Sequence, residues 1–328
     1  MDIVIITFSP DIKLLRHCVA SYDLYYQNKD GLYIFASTKD KYLLDQIDLP
    51  HNAKVIFRED YPELLEMDSS RHAAFLKLMA YQVVTTEYFC VIDSDFLFIA
   101  PTYDQDFFHN GKPMWYYRAP LEQDPPLAQN AAVEGFIGHK IDHVFMDIPQ
   151  YIFKRSVASN LTKHISPLNI PRHEFIVYGW FAHKYHREEY EFVRSDKGSS
   201  QAIAAKVNQI PPTYLHLDPS CKYDQYKDYK MVIFWSYWDI ANEKMIDFFE
   251  DSQKANFGRV VRQADRKPLL SIVNPNNIAQ GRYRYFEGVF ADGWVKEVVT
   301  FGLIPPIDWQ NAEIELMVPG NPENPDWE

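Results

Sequence analysis

Residues 88–100 read YFCVIDSDFLFIA, the most apolar run in the first hundred positions, and two carboxylates, Asp93 and Asp95, stand in its middle. A short apolar run rich in β-branched and aromatic residues is the pattern of a buried central strand. Unpaired aspartates inside such a strand would each cost several kcal/mol. The run therefore predicts a strand over Tyr88–Ile92 that emerges at Asp93, with both acidic side chains turned out of the core. Open α/β sheets gather ligands along the carboxyl edge of their strands. Two hard oxygen donors separated by one residue suit a divalent cation, Mn2+ or Mg2+, whose shell is completed by water and substrate phosphates. The competing reading is a solvated turn in which Asp93 caps whatever follows.

Upstream of this run, strand and helix patterns alternate. Ile3–Thr7 reads as a first strand, and Pro10 suits the start of a helix reaching about Tyr26. Leu32–Ala36 reads as a second strand, residues 40–46 as a short helix and Lys54–Phe57 as a third strand. Ser69 or Ser70 then caps a helix over RHAAFLKLMAYQVV, residues 71–84. This alternation predicts an α/β fold, a mostly parallel sheet flanked by helices. Downstream, the pattern predicts a strand in PMWYYR (113–118), a Pro-rich loop in EQDPPLAQN (122–130), and helices near His139–Phe145 and Glu174–Lys184. Met231–Trp235 reads as a strand and Ile240–Phe257 as a helix. After residue 277, short aromatic and β-branched runs are split by Gly, Pro and Asp, an all-β signature of three or four strands. That is fewer than a sandwich needs, so an incomplete domain is expected there. The expected organisation is a catalytic domain over 1–257, a linker over 258–274 and a β-rich C-terminal segment over 275–328.

At 328 residues the chain is long enough for one large domain with an appendage, and 47% hydrophobic residues support a sizeable core. The 16% aromatic content also provides platforms of the kind that bind sugar rings. A net charge of −12 offers no electrostatic case for nucleic acid. The basic stretch at 258–267 could still meet an anionic membrane surface or a phosphorylated acceptor, or be ordinary solvated surface. Cys18, Cys90 and Cys221 lie far apart, which argues against a zinc module and a disulfide framework and points to a reducing compartment. With neither a basic leader nor an apolar run of about 18 residues, a cytoplasmic protein is expected, attached at most peripherally to the inner face of a membrane. The Asn160-Leu161-Thr162 sequon is then incidental.

The strand order, the FLKLMA helix carrying Lys77 and the D-x-D at the end of an apolar strand together resemble the GT-A type of nucleotide-sugar-dependent glycosyltransferase, over roughly residues 1–240. More narrowly, HEFIVYG (173–179) is similar to a Glu-x-x-x-Tyr-Gly element of bacterial capsule and lipopolysaccharide glycosyltransferases. GVFADGWVKEVVTFGL (288–303) resembles the β-rich segment that follows such domains. The resemblance implies that Asp93 and Asp95 hold the cation bridging a sugar donor's diphosphate, with Ser94 beside them and Lys77, more weakly Arg71, adding positive charge near the phosphates. A third metal ligand is commonly a late histidine, for which His216 in PTYLHLDPS is the choice; a structural histidine is the alternative. Thr7, Ser9 and Asp11 lie where the fold receives base and ribose, although Asp11 equally suits a helix N-terminus. Ser37 and Asp40 are lesser candidates at the end of the second strand. Inverting transfer needs a base near the acceptor hydroxyl. Glu174 is the leading choice, with His173 beside it and Tyr178 one turn on, and Glu134 in AAVEGFIG is second. The implied partners are a nucleotide-sugar donor and a glycan or lipid-linked saccharide acceptor, as in bacterial surface-polysaccharide synthesis.

Two other classes share parts of this pattern. A haloacid-dehalogenase-like phosphatase or phosphotransferase also has a D-x-D after an apolar strand, but normally on its first strand and followed by Thr or Val, where this chain has Phe96. A non-catalytic carbohydrate-binding module would account for the aromatics alone. No G-x-x-x-x-G-K-[ST] accompanies the acidic strand, which excludes a P-loop NTPase. FSPDIK lacks the glycines a sugar-nucleotide pyrophosphorylase would need after its first strand.

Overall fold

The apolar run DIVII forms strand β1 (Asp2–Ile6), buried at every position, and helix α1 (Ile12–Tyr25) follows with Leu14, Leu15, Cys18 and Val19 on its buried face. The chain continues through β2 (Leu32–Ala36), α2 (Lys41–Leu44), β3 (Ala53–Phe57), α3 (His72–Met79), β4 (Tyr88–Asp93) and β5 (Phe96–Phe98). Next come β6 (Phe108–His109), β7 (Lys112–Tyr117), α4 (Pro125–Ile137), β8 (Tyr151–Lys154), α5 (Arg155–His164), α6 (Glu174–Tyr185) and β9 (Glu191–Arg194). The computed structural model describes residues 1–8, 11–67, 71–120, 125–146, 151–195, 213–214, 222–234, 241–261, 270–273, 283–289, 295–303 and 313–316.

The central sheet has the order β3-β2-β1-β4-β8, parallel except for β8, which runs antiparallel to β4. Helices cover it, so the fold is mixed α/β around a mostly parallel sheet. Side chains alternate across a strand, and Val4, Ile6, Phe89 and Val91 accordingly enter the same core cluster as Phe75 and Leu78 of α3 and Phe175 and Tyr178 of α6. Two smaller sheets join β6-β7-β9 and β10-β11-β5, where β10 is Thr213–Tyr214 and β11 is Met231–Ile233. Beside β5 and β11, Leu97, Ile99, Val232 and Phe234 form a second cluster with Leu14 of α1 and Met245 and Phe248 of α7 (Ala241–Phe257).

By its contacts the chain divides into two units, Met1–Phe249 and Glu250–Glu328. The second contains β12 (Leu270–Val273), β13 (Tyr283–Val289), β14 (Val295–Leu303) and β15 (Glu313–Leu316), paired antiparallel as β12 with β15 and β13 with β14. Among the described residues no helix is long and apolar enough to cross a membrane.

Three local expectations change. The Pro-rich stretch at 122–130 is not a loop throughout: α4 begins at Pro125, because prolines cost little in a first turn whose N–H groups lack intrahelical acceptors. The segment His139–Phe145 is not a helix. Gly138, at φ 69°, ends α4 in the left-handed conformation that favours glycine, and Val144 then bridges to Arg118 through N–H to O distances of 3.1 and 2.8 Å. The short helix at 40–46 is a tighter turn over Thr38–Asp40 running into α2. The expected caps Ser69 and Ser70 lie outside the described residues.

Gly179 of α6 sits against Trp115 of β7, and a Cβ there would come within 2.7 Å of both Trp115 Nε1 and Phe145 Cβ. The indole is fixed, donating to the Phe145 carbonyl at 3.0 Å and stacking on Tyr178. Gly179→Ala is therefore expected to destabilise the fold by about 1–3 kcal/mol through overpacking. Urea denaturation checks this; a neutral or stabilising change would show that the Trp115 layer yields.

Candidate functional site

In the order β3-β2-β1-β4-β8 the chain leaves β1 in one direction and β4 lies in the other, so the carboxyl ends of β1 and β4 flank a topological switch point. The register pairs Ile6 with Asp93 at that edge. Thr7, the next residue, is buried and held by its N–H to the Phe35 carbonyl at 2.9 Å, while its hydroxyl has no partner among the described residues. The strand thus delivers Thr7 and Asp93 side by side.

Asp93 continues the Phe89–Val91 face, so it points toward α3 and α6. Lys77 meets it there: Nζ lies 2.9 Å from Asp93 Oδ1 and 2.9 Å from Glu174 Oε1. Lys77 and Glu174 are 8% and 6% exposed, whereas Asp93 is 44% exposed and open to a ligand. The ammonium also lies 4.5 Å from the centre of the Phe175 ring. Burial alone would lower the Lys77 pKa, but the Asp93 and Glu174 charges outweigh it and raise it, so Lys77 stays a cation.

Beyond the turn, Ser94 is buried and Asp95 half-buried, with the Asp95 carbonyl pinned by the Phe234 N–H at 3.0 Å. Behind them the Cys18 thiol lies 4.0 Å from the Asp93 carbonyl. Burial first, then the Asp95 and Asp93 charges, push its pKa up, which keeps it protonated and inert. Two partly exposed carboxylates are a donor set that fits a hard divalent cation holding its remaining ligands as water or substrate oxygen. Among the described residues no cluster of three or more His, Cys, Asp or Glu could complete an all-protein cage. His216 and Ser9 lie outside the described residues.

The remaining predicted residues divide sharply. Glu174 does reach the site, but as the buried partner of Lys77. There it is turned inward and ion-paired at 2.9 Å, the position of a group that orients Lys77. Tyr178 is fully buried, stacks on Phe153 at 3.8 Å, and its hydroxyl bonds Tyr190 and the Lys154 N–H. Glu134 accepts the Ile141 N–H at 2.8 Å and clamps the turn after α4. Ser37 is buried and donates to Glu59 at 2.7 Å, capping the turn that contains Asp40. Burial would raise the Glu59 pKa, but hydrogen bonds from Ser37, the Thr38 N–H and Arg58 hold it at about 2. Glu59 was not foreseen; no local motif marks a carboxylate bonded 22 residues away. Asp11 stands at the N-cap of α1 without a side-chain capping bond, and Arg71 precedes α3 with its Nε buried and unpartnered among the described residues.

No protein-family model matches the chain, and no curated protein resembles it in sequence. Among solved structures it is similar to the galactosyltransferase LgtC in complex with donor and acceptor sugar analogues, at a TM-score of 0.42 and 10% identity over 76% of this chain and 95% of that one. It is also similar to an active-site variant of LgtC, at a TM-score of 0.41 and 11% identity over the same shares. A likeness this distant decides nothing about activity, which has to be argued from the residues themselves.

Removing one partner of a buried ion pair strands the other. Lys77→Met is expected to cost about 3–5 kcal/mol, and the additional change Glu174→Leu to recover much of it, because the uncompensated carboxylate then disappears. Because the Lys77 pKa is raised, its contribution is complete below the unfolded value near 10.4 and is lost only as pH climbs through the folded value. Denaturation of both variants at pH 7, with a wild-type profile flat through this group from about pH 6 to 9, checks the assignment. Independent, additive losses would contradict it.

Proposed function

We propose that this chain is a metal-dependent glycosyltransferase that moves a sugar from a nucleotide-sugar donor to a glycan or lipid-linked saccharide. The observation that carries the reading is the pair of partly exposed carboxylates, Asp93 and Asp95, at the end of β4 beside the switch point. The Thr7 hydroxyl and Arg71 Nε, both buried without protein partners, support it as groups available to a polar ligand. The resemblance of HEFIVYG supports an acceptor from bacterial surface-polysaccharide synthesis. The catalytic domain is assigned to residues 1–257, followed by the linker and the β-rich segment.

Asp93 and Asp95 would hold Mn2+ or Mg2+, which supplies Lewis-acid stabilisation of the charge developing on the leaving diphosphate. Lys77 fixes the Asp93 carboxylate through Oδ1 and leaves its second oxygen for a ligand. Glu174 fixes Lys77 in turn. Thr7, just after β1, and Asp11, at the N-cap of α1, would receive the nucleoside, with Ser9 between them in sequence.

Asp95→Asn preserves volume and removes a charge from the donor set. Manganese-dependent binding of a nucleotide sugar should weaken by roughly tenfold or more, and transfer should fall by orders of magnitude, while the melting temperature without ligand holds. A screen of nucleotide sugars by thermal shift, with and without manganese, identifies the donor first. Unchanged binding and transfer in the variant would remove the metal site. Glu174→Gln separates the two roles for that residue: a positioning residue changes apparent manganese affinity, whereas a base lowers turnover and leaves that affinity alone.

A further inference from the structure

A second cleft, of about 370 Å3, opens in the first unit around the later turns of α6. At 1.5 Å rise per residue, Trp180 to Lys184 lie roughly 9–15 Å along α6 from Glu174, so this cleft is separate from the Asp93 centre. His143 and His183 line it with ring centroids 5.6 Å apart and nearly perpendicular, each also packed on Tyr117. His143 Nδ1 is buried and has no hydrogen-bond partner among the described residues. Lys140 and Lys184 are exposed at the rim, and among the described residues neither makes an ion pair; Lys184 lies over the Trp180 ring at 5.0 Å.

Two ammonium groups and three imidazoles, with His139 stacked on Trp180 at 5.6 Å, converge on one cleft, where Asp142 is the one lining carboxylate among the described residues. Arg194 and Arg187 add positive potential at His143, and Arg187 adds it at His183. Its described lining is rich in donors and poor in acceptors, which is the chemistry of an oxyanion site.

We propose that this cleft binds the phosphate of a phosphorylated saccharide, with Lys140, Lys184, His143 and His183 as donors and the Trp180 indole beside the ring. The oxyanion part stands on the cleft alone; the saccharide part rests on the glycosyltransferase reading. Burial lowers the pKa of both imidazoles; at His143 the Asp142 charge opposes it and Arg194 and Arg187 add to it, and at His183 Arg187 and His143 add to it. An arriving anion raises them again, so affinity increases as pH falls.

The test titrates the full chain with a hexose 6-phosphate, the unphosphorylated hexose and inorganic phosphate, following the histidine ring resonances by NMR. Hexose phosphate should bind more tightly than either of the others and lose roughly tenfold or more in Lys140→Ala/Lys184→Ala. Sulfate, whose charge is constant over the interval, should bind several-fold more tightly at pH 6 than at pH 8. Undiminished binding of hexose phosphate by the double variant, or no binding by the wild type at millimolar ligand, overturns the site. Equal binding of hexose phosphate and inorganic phosphate overturns the saccharide part. Manganese-dependent nucleotide-sugar binding, measured on the same double variant, should match the wild type; its absence from both proteins would count against the glycosyltransferase reading and leave the oxyanion result standing.

Discussion

An ammonium group buried among aromatic side chains survives only where carboxylates surround it, and Lys77 organises the edge of the sheet around that requirement. Its two partners differ in kind. Glu174 is as buried as Lys77, so that bond joins α3 to α6 within the core. Asp93 is open to solvent on its far side, so the other bond ties the same core to a surface that a ligand can reach. Loss of Lys77 would strand one carboxylate in the interior and release the other at the edge. One side chain therefore links the stability of the helical layer to the orientation of the candidate metal ligand.

The HEFIVYG element looks different once its neighbours are known. Glu174 pairs with Lys77, while Phe175 stacks on Tyr151 at 3.6 Å and faces the same ammonium. Tyr178 stacks on Phe153 and bonds the backbone of Lys154, and Gly179 leaves the space that Trp115 fills. Phe175, Tyr178 and Gly179 thus seat α6 against β7 and β8, while Glu174 ties it to α3. The first turn of α6 then delivers a carboxylate at a fixed height above β4. The element that resembles a catalytic motif in sequence also packs α6 and places a charge.

The parts legible in the sequence were those that one periodicity fixes. Leu32–Ala36 is an unbroken apolar run and forms β2 at those bounds; YFCVID ends β4 at Asp93 because a carboxylate cannot continue inward. What escaped depends on residues far apart in the chain. Lys77 in FLKLMA and Glu174 in HEFIVYG are each a lone charge in a buried helical stretch, and that shared oddity, with opposite signs, was the one available sign of their pairing across 97 positions. Prolines at 125 and 126 read as loop residues unless a helix happens to start on them. The turn that brings His143 toward His183 follows from the left-handed Gly138, whose conformation no alternation pattern announces.

The Asp93 edge and the basic cleft are both set by the same helix. With its N-terminal residue held by Lys77, α6 cannot slide or rotate without breaking a buried ion pair. Its later turns, carrying Trp180, His183 and Lys184, are consequently set in register with the chain after Gly138. Tyr117 couples that register to the sheet layer: it precedes the bridge between Arg118 and Val144, and it packs on both His143 and His183. A rigid helix spanning roughly 15 Å between an acidic edge and a basic cleft fixes their separation. One end presents carboxylates and the other imidazoles and ammonium groups, so the helix holds two regions of opposite charge at a set distance.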